Sequence, residues 1–212
     1  MRQLGKRYLI VTLLCTLAFI IFIRAHAQDE EIIKEILAYR EKQEKELLDP
    51  DKSPLEKHER KKFKGLRYYP IDLAFHVRAR LVLNETPVLF KMPTTTTRLP
   101  EYTKYGDLYF NLDGKEFKLE VYQNPEISKK PGYEDHLFVP FTDATNGDET
   151  YDIGRYLDFK IPASDEIYID FNLSYNPYCS YSHRYSCPIP PEVNHLPIKV
   201  TAGEMKYISG DY

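Results

Sequence analysis

The stretch YGDLYFNLDGKEFKLEVYQ, residues 105–123, decides the fold. Apolar and polar side chains alternate on both sides of Asp113-Gly114, a period that is typical of strands with one buried face. An Asp-Gly pair between two alternating runs indicates a tight hairpin turn. The sequence therefore predicts two antiparallel strands, residues 105–112 and 115–123.

The two-residue period continues outside this hairpin. Apolar and polar residues alternate from Ile71 to Leu83, as expected of another half-buried strand. Further strands are predicted at residues 88–92, 137–141, 156–161, 167–171 and 198–202. About eight short strands without crossover helices between them predict a mainly β protein, folded as an antiparallel β-sandwich or barrel.

A helical pattern precedes the strands. Apolar residues recur at helical spacing in residues 29–48, a stretch rich in Glu and Lys, and Asp49-Pro50-Asp51 ends it. Ser53-Pro54-Leu55-Glu56 has the form of a capping box with proline at the first helical position, which predicts a second helix to about Phe63. We therefore expect one or two N-terminal α-helices in residues 28–66 and a β-rich domain in residues 67–212.

Residues 1–27 have the three parts of a secretory signal: a basic start, an uncharged apolar run at residues 9–23, and the small-residue pattern Ala25-His26-Ala27. We expect cleavage near Ala27 and a protein that works outside the cytoplasm, in the periplasm or secreted. The apolar run has about 15 residues, whereas a spanning helix needs roughly 20. An uncleaved membrane anchor at residues 9–23 is the alternative.

Cleavage would change the composition of the chain. It leaves 185 residues, enough for one domain with a sizeable core. It also removes four positive charges, so the net charge falls from −3 to −7. An acidic chain without tryptophan argues against nucleic acid as a partner, and no membrane contact is expected after the signal has been removed.

Polar motifs follow one another in the C-terminal half. They are FTDATNGDETY at 141–151, GRYLD at 154–158, DFNLSYNPYCSY at 170–181, CPIPP at 187–191, NHLP at 194–197 and AGE at 202–204. In this order they resemble the domain of unknown function 1684 family (DUF1684), over about Phe63 to Tyr207. That family is named for having no assigned function, so the resemblance implies a set of marked residues and no activity. One departure is Asp152-Ile153, where a glycine-rich pair is expected.

These motifs concentrate hydrogen-bonding side chains in two segments. We predict a polar binding site where the 143–155 loop meets the 170–194 segment, because binding residues often sit on loops held by a rigid scaffold. Its candidate residues are Asp143, Thr145, Glu149, Tyr151, Arg155, Asp170, Asn172, Tyr175, Asn176 and Asn194. Two structural alternatives are a loop capped by its own Asp and Thr side chains and, for Arg155, a buried ion-pair anchor, which we favour.

A long proline-rich loop follows, since five prolines between Tyr175 and Pro197 exclude regular sheet. Loops of this length are usually functional or strongly braced. Its four tyrosines could stack on a sugar or peptide ligand, although we favour packing of the loop against itself.

Cys179 and Cys187 lie in this loop and survive cleavage. An oxidising compartment favours a disulfide between them, which would stabilise the fold by roughly 2–3 kcal/mol. The alternatives are a metal site or a thiolate nucleophile that uses His183 or His195, or two inert thiols. Cys-x3-His-x3-Cys is not a standard zinc spacing, and we expect neither a metal nor a cofactor.

The sequence leaves three functions open. The leading hypothesis is a ligand-binding or accessory envelope protein for a small molecule, a sugar or a peptide, because no familiar catalytic motif is present. A hydrolase that uses a carboxylate pair from Asp143, Glu149 or Asp170 is the second. A purely structural envelope protein is the third.

Overall fold

The computed structural model describes residues 2–208 and divides the chain into two units, residues 1–39 and 40–212. Helix α1, Arg2–Leu48, makes up the described part of the first unit and ends inside the second. It ends before Asp49-Pro50 as predicted, but it is continuous with the proposed signal segment. Among the residues described, no helix is both long and apolar enough to cross a membrane.

The predicted second helix begins later and is shorter than expected. Helix α2 is Lys57–Arg60, and its capping pair is Glu56 and Glu59, whose carboxylate accepts from the Glu56 backbone N–H at 2.8 Å. Ser53 instead donates to the Leu47 carbonyl and accepts from the Leu55 N–H. The predicted capping box is therefore wrong, because its serine closes the turn that follows α1.

Eight strands and a third α-helix follow in the second unit. They are β1 His76–Leu83, β2 Leu89–Lys91, β3 Glu101–Leu112, β4 Lys115–Gln123, α3 Pro125–Ser128, β5 His136–Asp143, β6 Arg155–Lys160, β7 Glu166–Asp170 and β8 His195–Leu196. The hairpin is confirmed: β3 and β4 pair antiparallel down to Leu112 and Lys115. Asp113 and Gly114 adopt positive φ angles of 51° and 72°, as the tight hairpin turn requires.

The strands form one mainly antiparallel sheet in the order β6-β5-β4-β3-β1-β7. This sheet curls into a half barrel, so the mainly antiparallel β class is confirmed. Strand β2 pairs with β3, and the short β8 runs parallel to β5. The predicted strand at residues 198–202 is wrong, because carbonyls of Val200 and Ala202 bind the Arg155 guanidinium instead of a strand.

Both faces of the sheet are covered near β5 and β6. Leu137, Val139 and Phe141 belong to the main apolar core, which β1, β3, β4 and β7 also supply. Phe138 belongs to a second, aromatic cluster with Tyr102, Tyr122 and Tyr156. Since successive side chains of a strand point to opposite faces, the aromatic cluster lies on the other face, where it also contacts the loop that carries Cys179 and Cys187.

Candidate functional site

Asp143 and Arg155 form an ion pair in the interior. Arg155 Nη2 lies 2.8 Å from Asp143 Oδ2, and both side chains are 0 % exposed. The same guanidinium donates to the carbonyls of Val200, Ala202 and Glu204. It therefore ties the end of β5 and the start of β6 to the C-terminal segment, and the anchor interpretation of Arg155 is confirmed.

The loop after Asp143 is capped by its own side chains. Asp143 Oδ1 accepts from the N–H of Thr145 at 2.9 Å and from its hydroxyl at 2.6 Å. Thr145 Oγ1 lies 2.7 Å from Thr150 Oγ1, and both residues are fully buried. Glu149 accepts from Tyr69 Oη at 3.0 Å and from Lys199 Nζ at 2.7 Å. The hydrogen-bonding capacity of this loop is largely used within the protein.

Two asparagines of the predicted site bridge backbone segments. Asn172 accepts from the Asp72 N–H at 3.0 Å and donates to the Asp72 carbonyl at 2.9 Å. Asn194 does the same to Glu120, at 2.7 and 2.9 Å, and also donates to Pro140 O at 2.8 Å. Strands β4 and β5 pair at Tyr122 and Phe138, so the Asn194 amide replaces ladder hydrogen bonds between them.

The ten predicted site residues thus do not converge on one open site. Asp170 accepts from Asn172 and contacts His76 at 3.1 Å, whereas Asp143 pairs with Arg155. Tyr151 lies against Cys179, with its hydroxyl 3.5 Å from the sulfur. Tyr175 and Asn176 are different, because they line a large open cleft.

We call this feature the tyrosine cleft. It has a volume of about 810 Å³ and lies within the second unit. Its aromatic lining consists of Tyr102, Tyr133, Phe138, Tyr156, Tyr175, Tyr178, Tyr181 and Tyr185. Strands β3, β5 and β6 supply one part of this lining, the proline-rich loop supplies a second, and Tyr133 comes from the segment between α3 and β5. The predicted self-packing of the loop is present at Tyr178 and Tyr185, whose ring centroids are 5.1 Å apart.

A hydrogen-bonded group lies at the wall of the cleft. Asp158 accepts from the Tyr175 hydroxyl at 2.7 Å, and its other oxygen lies 2.9 Å from His136 Nε2. The Tyr133 ring contacts the His136 ring edge to face at 5.9 Å. His136 and Asp158 were missed in the sequence because they pair across β5 and β6 and are distant in the chain. An available signal was the apolar run in β5, which indicates a strand covered on both faces.

A buried carboxyl holds the loop from beneath. Glu204 is 1 % exposed and accepts from Asn176 through its backbone N–H at 2.9 Å and its side-chain amide at 2.8 Å. The Tyr181 hydroxyl also donates to it. Burial raises the pKa of Glu204 to about 7, although these donors oppose the rise. Glu204 therefore positions two residues that line the tyrosine cleft.

Cys179 and Cys187 are free, buried thiols in the structure, so the predicted disulfide is not formed. The Cys179 N–H donates to Cys187 Sγ at 3.1 Å, which places the two residues side by side without a covalent bond. A hydrogen bond from the Cys187 thiol lowers the pKa of Cys179 to about 6, with further help from the Tyr151 and Thr95 hydroxyls. The neighbouring thiolate raises the pKa of Cys187 above its usual range.

This arrangement predicts an unusual thiol titration. Ultraviolet thiolate absorbance should rise near pH 6 as Cys179 ionises, far below the ordinary cysteine value of about 8.5. The Cys179→Ser variant should lose that rise. A wild-type chain with no thiolate signal below pH 8 would contradict the hydrogen-bonded thiol pair.

Both histidines considered as partners of these buried cysteines are exposed. His195 Nδ1 is 3.0 Å from the Thr142 hydroxyl, and His183 is exposed. Within residues 2–208 as described, no three His, Cys, Asp or Glu side chains come together as metal ligands do. The structure therefore provides no support for a cysteine–histidine metal or nucleophile site.

One of the comparisons with known proteins identifies a family. A family model described as "Protein of unknown function (DUF1684)" matches residues 61–205. The solution NMR structure of an uncharacterized protein from Haloarcula marismortui is similar, at 36% sequence identity and a TM-score of 0.66. That alignment covers 84% of this chain and 96% of the other. No curated protein matches the chain.

Proposed function

The chain belongs to the DUF1684 family of proteins of unknown function, and from that premise we propose that it is an exported binding or accessory protein whose ligand occupies the tyrosine cleft. The family motif would then be the scaffold of the site. Arg155, Asn194 and Glu204 hold the backbone in place, whereas the ring-lined cleft beside them takes the ligand.

The observation that carries the proposal is the make-up of the tyrosine cleft. Small-molecule sites are concave, measure roughly 300–1,000 Å³, and combine apolar or aromatic walls with a few placed polar groups. The cleft, at about 810 Å³, has this size and this lining. Tyr133 and Tyr178 keep 50 % and 40 % of their surface exposed, so their rings are available for contact with a ligand.

A role outside the cytoplasm is part of the same proposal. It rests on the basic start, the apolar run and the Ala25-His26-Ala27 pattern of residues 1–27. The net charge of −7 that would follow cleavage suits a small-molecule or peptide ligand better than nucleic acid.

The hydrolase alternative has less support. None of Asp143, Glu149 and Asp170 lines the tyrosine cleft. Asp143 is fully buried against Arg155, and a catalytic carboxylate pair needs to face the substrate. The contacts of these carboxylates favour a structural role for all three.

A tyrosine NMR experiment tests the proposed function. The protein is labelled with ring-¹³C tyrosine, and its spectrum is followed against a library of neutral sugars, short peptides and small organic amines. We expect signals of Tyr133 and Tyr178, assigned by Tyr→Phe variants, to shift with at least one compound. Tyr168 serves as the reference, since it is exposed on β7 and does not line the cleft. Shifts at Tyr168 alone, or at no tyrosine, would reject the cleft as the site.

A further inference from the structure

Three pairs of aromatic rings in the tyrosine cleft meet at steep angles, whereas Tyr102 and Phe138 meet at 31°. Phe138 meets Tyr156 at 75°, Tyr156 meets Tyr175 at 89°, and Tyr178 meets Tyr185 at 72°. Neighbouring rings in such pairs present their faces in different directions. The lining also includes Tyr133 and Tyr178, which are 50 % and 40 % exposed, so a ligand in the cleft can contact aromatic ring surface. Ring faces carry partial negative charge and attract cations that lie over them.

The charged residues of the cleft also favour a cation. Four carboxylates line it, from Glu46, Glu101, Glu126 and Asp158, against two cations, Arg98 and Lys130. Glu126 is paired with Lys129, which lies outside the lining, at 2.6 Å, so three carboxylates remain against the two cations. An anionic ligand would meet net negative charge here, whereas a cation would be attracted.

The hydrogen bonds of Asp158 bear on which type of ammonium group would suit the cleft. One carboxylate oxygen accepts from the Tyr175 hydroxyl at 2.7 Å, and the other contacts His136 at 2.9 Å. Each oxygen of Asp158 therefore already has one hydrogen-bond partner, and a cation without N–H donors can lie beside this carboxylate without competing for either of them. A primary ammonium group needs several acceptors for its N–H donors, whereas a fully methylated ammonium needs none.

From these features we infer that the tyrosine cleft binds an organic cation with a methylated ammonium group. The inference rests on the proposed function and deepens it, because it assigns a chemical class to the ligand of the same site. Aromatic rings and a nearby carboxylate are the means by which proteins recognise quaternary ammonium groups. A neutral sugar could stack on the same rings and donate hydroxyl hydrogen bonds to the carboxylates, but it has no positive charge for them to attract.

A matched pair of probes separates charge from shape. Choline and its neutral isostere 3,3-dimethyl-1-butanol differ by one nitrogen-to-carbon exchange, and tetramethylammonium tests the head group alone. Binding to the full chain is measured by calorimetry and by the ring-¹³C tyrosine signals of the cleft. We expect choline and tetramethylammonium to shift Tyr133 and Tyr178, and the isostere to bind at least about tenfold more weakly than choline.

Single substitutions test whether Asp158 causes the preference for choline over its neutral isostere. Asp158→Asn should weaken choline several-fold and leave the isostere unchanged, while Glu116→Gln, an exposed carboxylate of β4 outside the cleft, should change neither. Thermal unfolding of each variant confirms that the fold is retained. Equal affinity for choline and the isostere, or preferential binding of a neutral sugar in the cleft, would overturn the cation assignment and leave the proposed function standing. If no probe or library compound shifted the cleft tyrosines, both would fail.

Discussion

Replacement of Arg155 by methionine should lower the free energy of unfolding by about 3–5 kcal/mol, because it leaves the buried Asp143 carboxylate without its partner. The Asp143 and Arg155 side chains are both 0 % exposed, so water cannot compensate the lost cation. The variant also removes donors from the carbonyls of Val200 and Ala202, which would remain buried. The measurement is a urea denaturation curve of Arg155→Met beside that of the wild type.

The matched control is a substitution that removes a positive charge from the protein surface. Lys160 is also on β6, and its ammonium group lies 3.3 Å from Asp135 with 78 % of its side chain exposed. Lys160→Met should cost no more than about 1 kcal/mol, as exposed ion pairs usually do. If Arg155→Met cost no more than Lys160→Met, the ion pair would not be an anchor of the fold.

Gly203→Ala should be the second strongly destabilising substitution. A Cβ atom at residue 203 would lie 2.0 Å from Ser174 Oγ and 2.6 Å from the Phe171 carbonyl oxygen. The residue also has φ of +79°, which disfavours any side chain. We expect a loss of about 2–5 kcal/mol, from overpacking together with backbone strain.

Gly147→Ala separates the two causes of that loss. Gly147 has a similar φ of +89°, but a Cβ atom there would meet nothing within 4 Å. This variant should lose only the conformational part, about 1–2 kcal/mol, in the same denaturation experiment. Equal losses for the two alanine variants would mean that the contacts with Ser174 and Phe171 contribute nothing.

Local patterns in the sequence predicted much of the sheet. The alternation around Asp113-Gly114 predicted β3, β4 and the turn between them, because a hairpin depends on neighbours in the chain. The same reasoning failed for residues 198–202. Val200 and Ala202 are apolar and buried, like residues of a strand, but their carbonyls bind the Arg155 guanidinium. Nothing near residue 200 in the chain indicates that distant partner.

The sequence likewise predicted one part of the candidate site and not the other. The anchor role of Arg155 followed from the rule that buried charges are paired, and the capping of the loop by Asp143 and Thr145 followed from short-range hydrogen bonding. The tyrosine cleft did not follow, since Tyr102, Tyr133 and Tyr178 come from separate segments. They come together only in the folded chain, where the sheet, the segment before β5 and the proline-rich loop meet. The polar motifs in the sequence identified the residues that hold the fold together, whereas the tyrosines that line the cleft are scattered along the chain.

The central claim is that the ligand sits in the tyrosine cleft and that the polar motif holds the cleft in shape. The most direct measurement is the dissociation constant of the library compound that most strongly shifts the cleft tyrosines, for Tyr178→Ala and for Lys199→Ala. Tyr178 lines the cleft, whereas Lys199 is exposed and binds Glu149 in the predicted polar site. We predict a loss of roughly tenfold or more in affinity for Tyr178→Ala and an unchanged affinity for Lys199→Ala. The reverse result would place the ligand at the 143–155 loop and contradict the account.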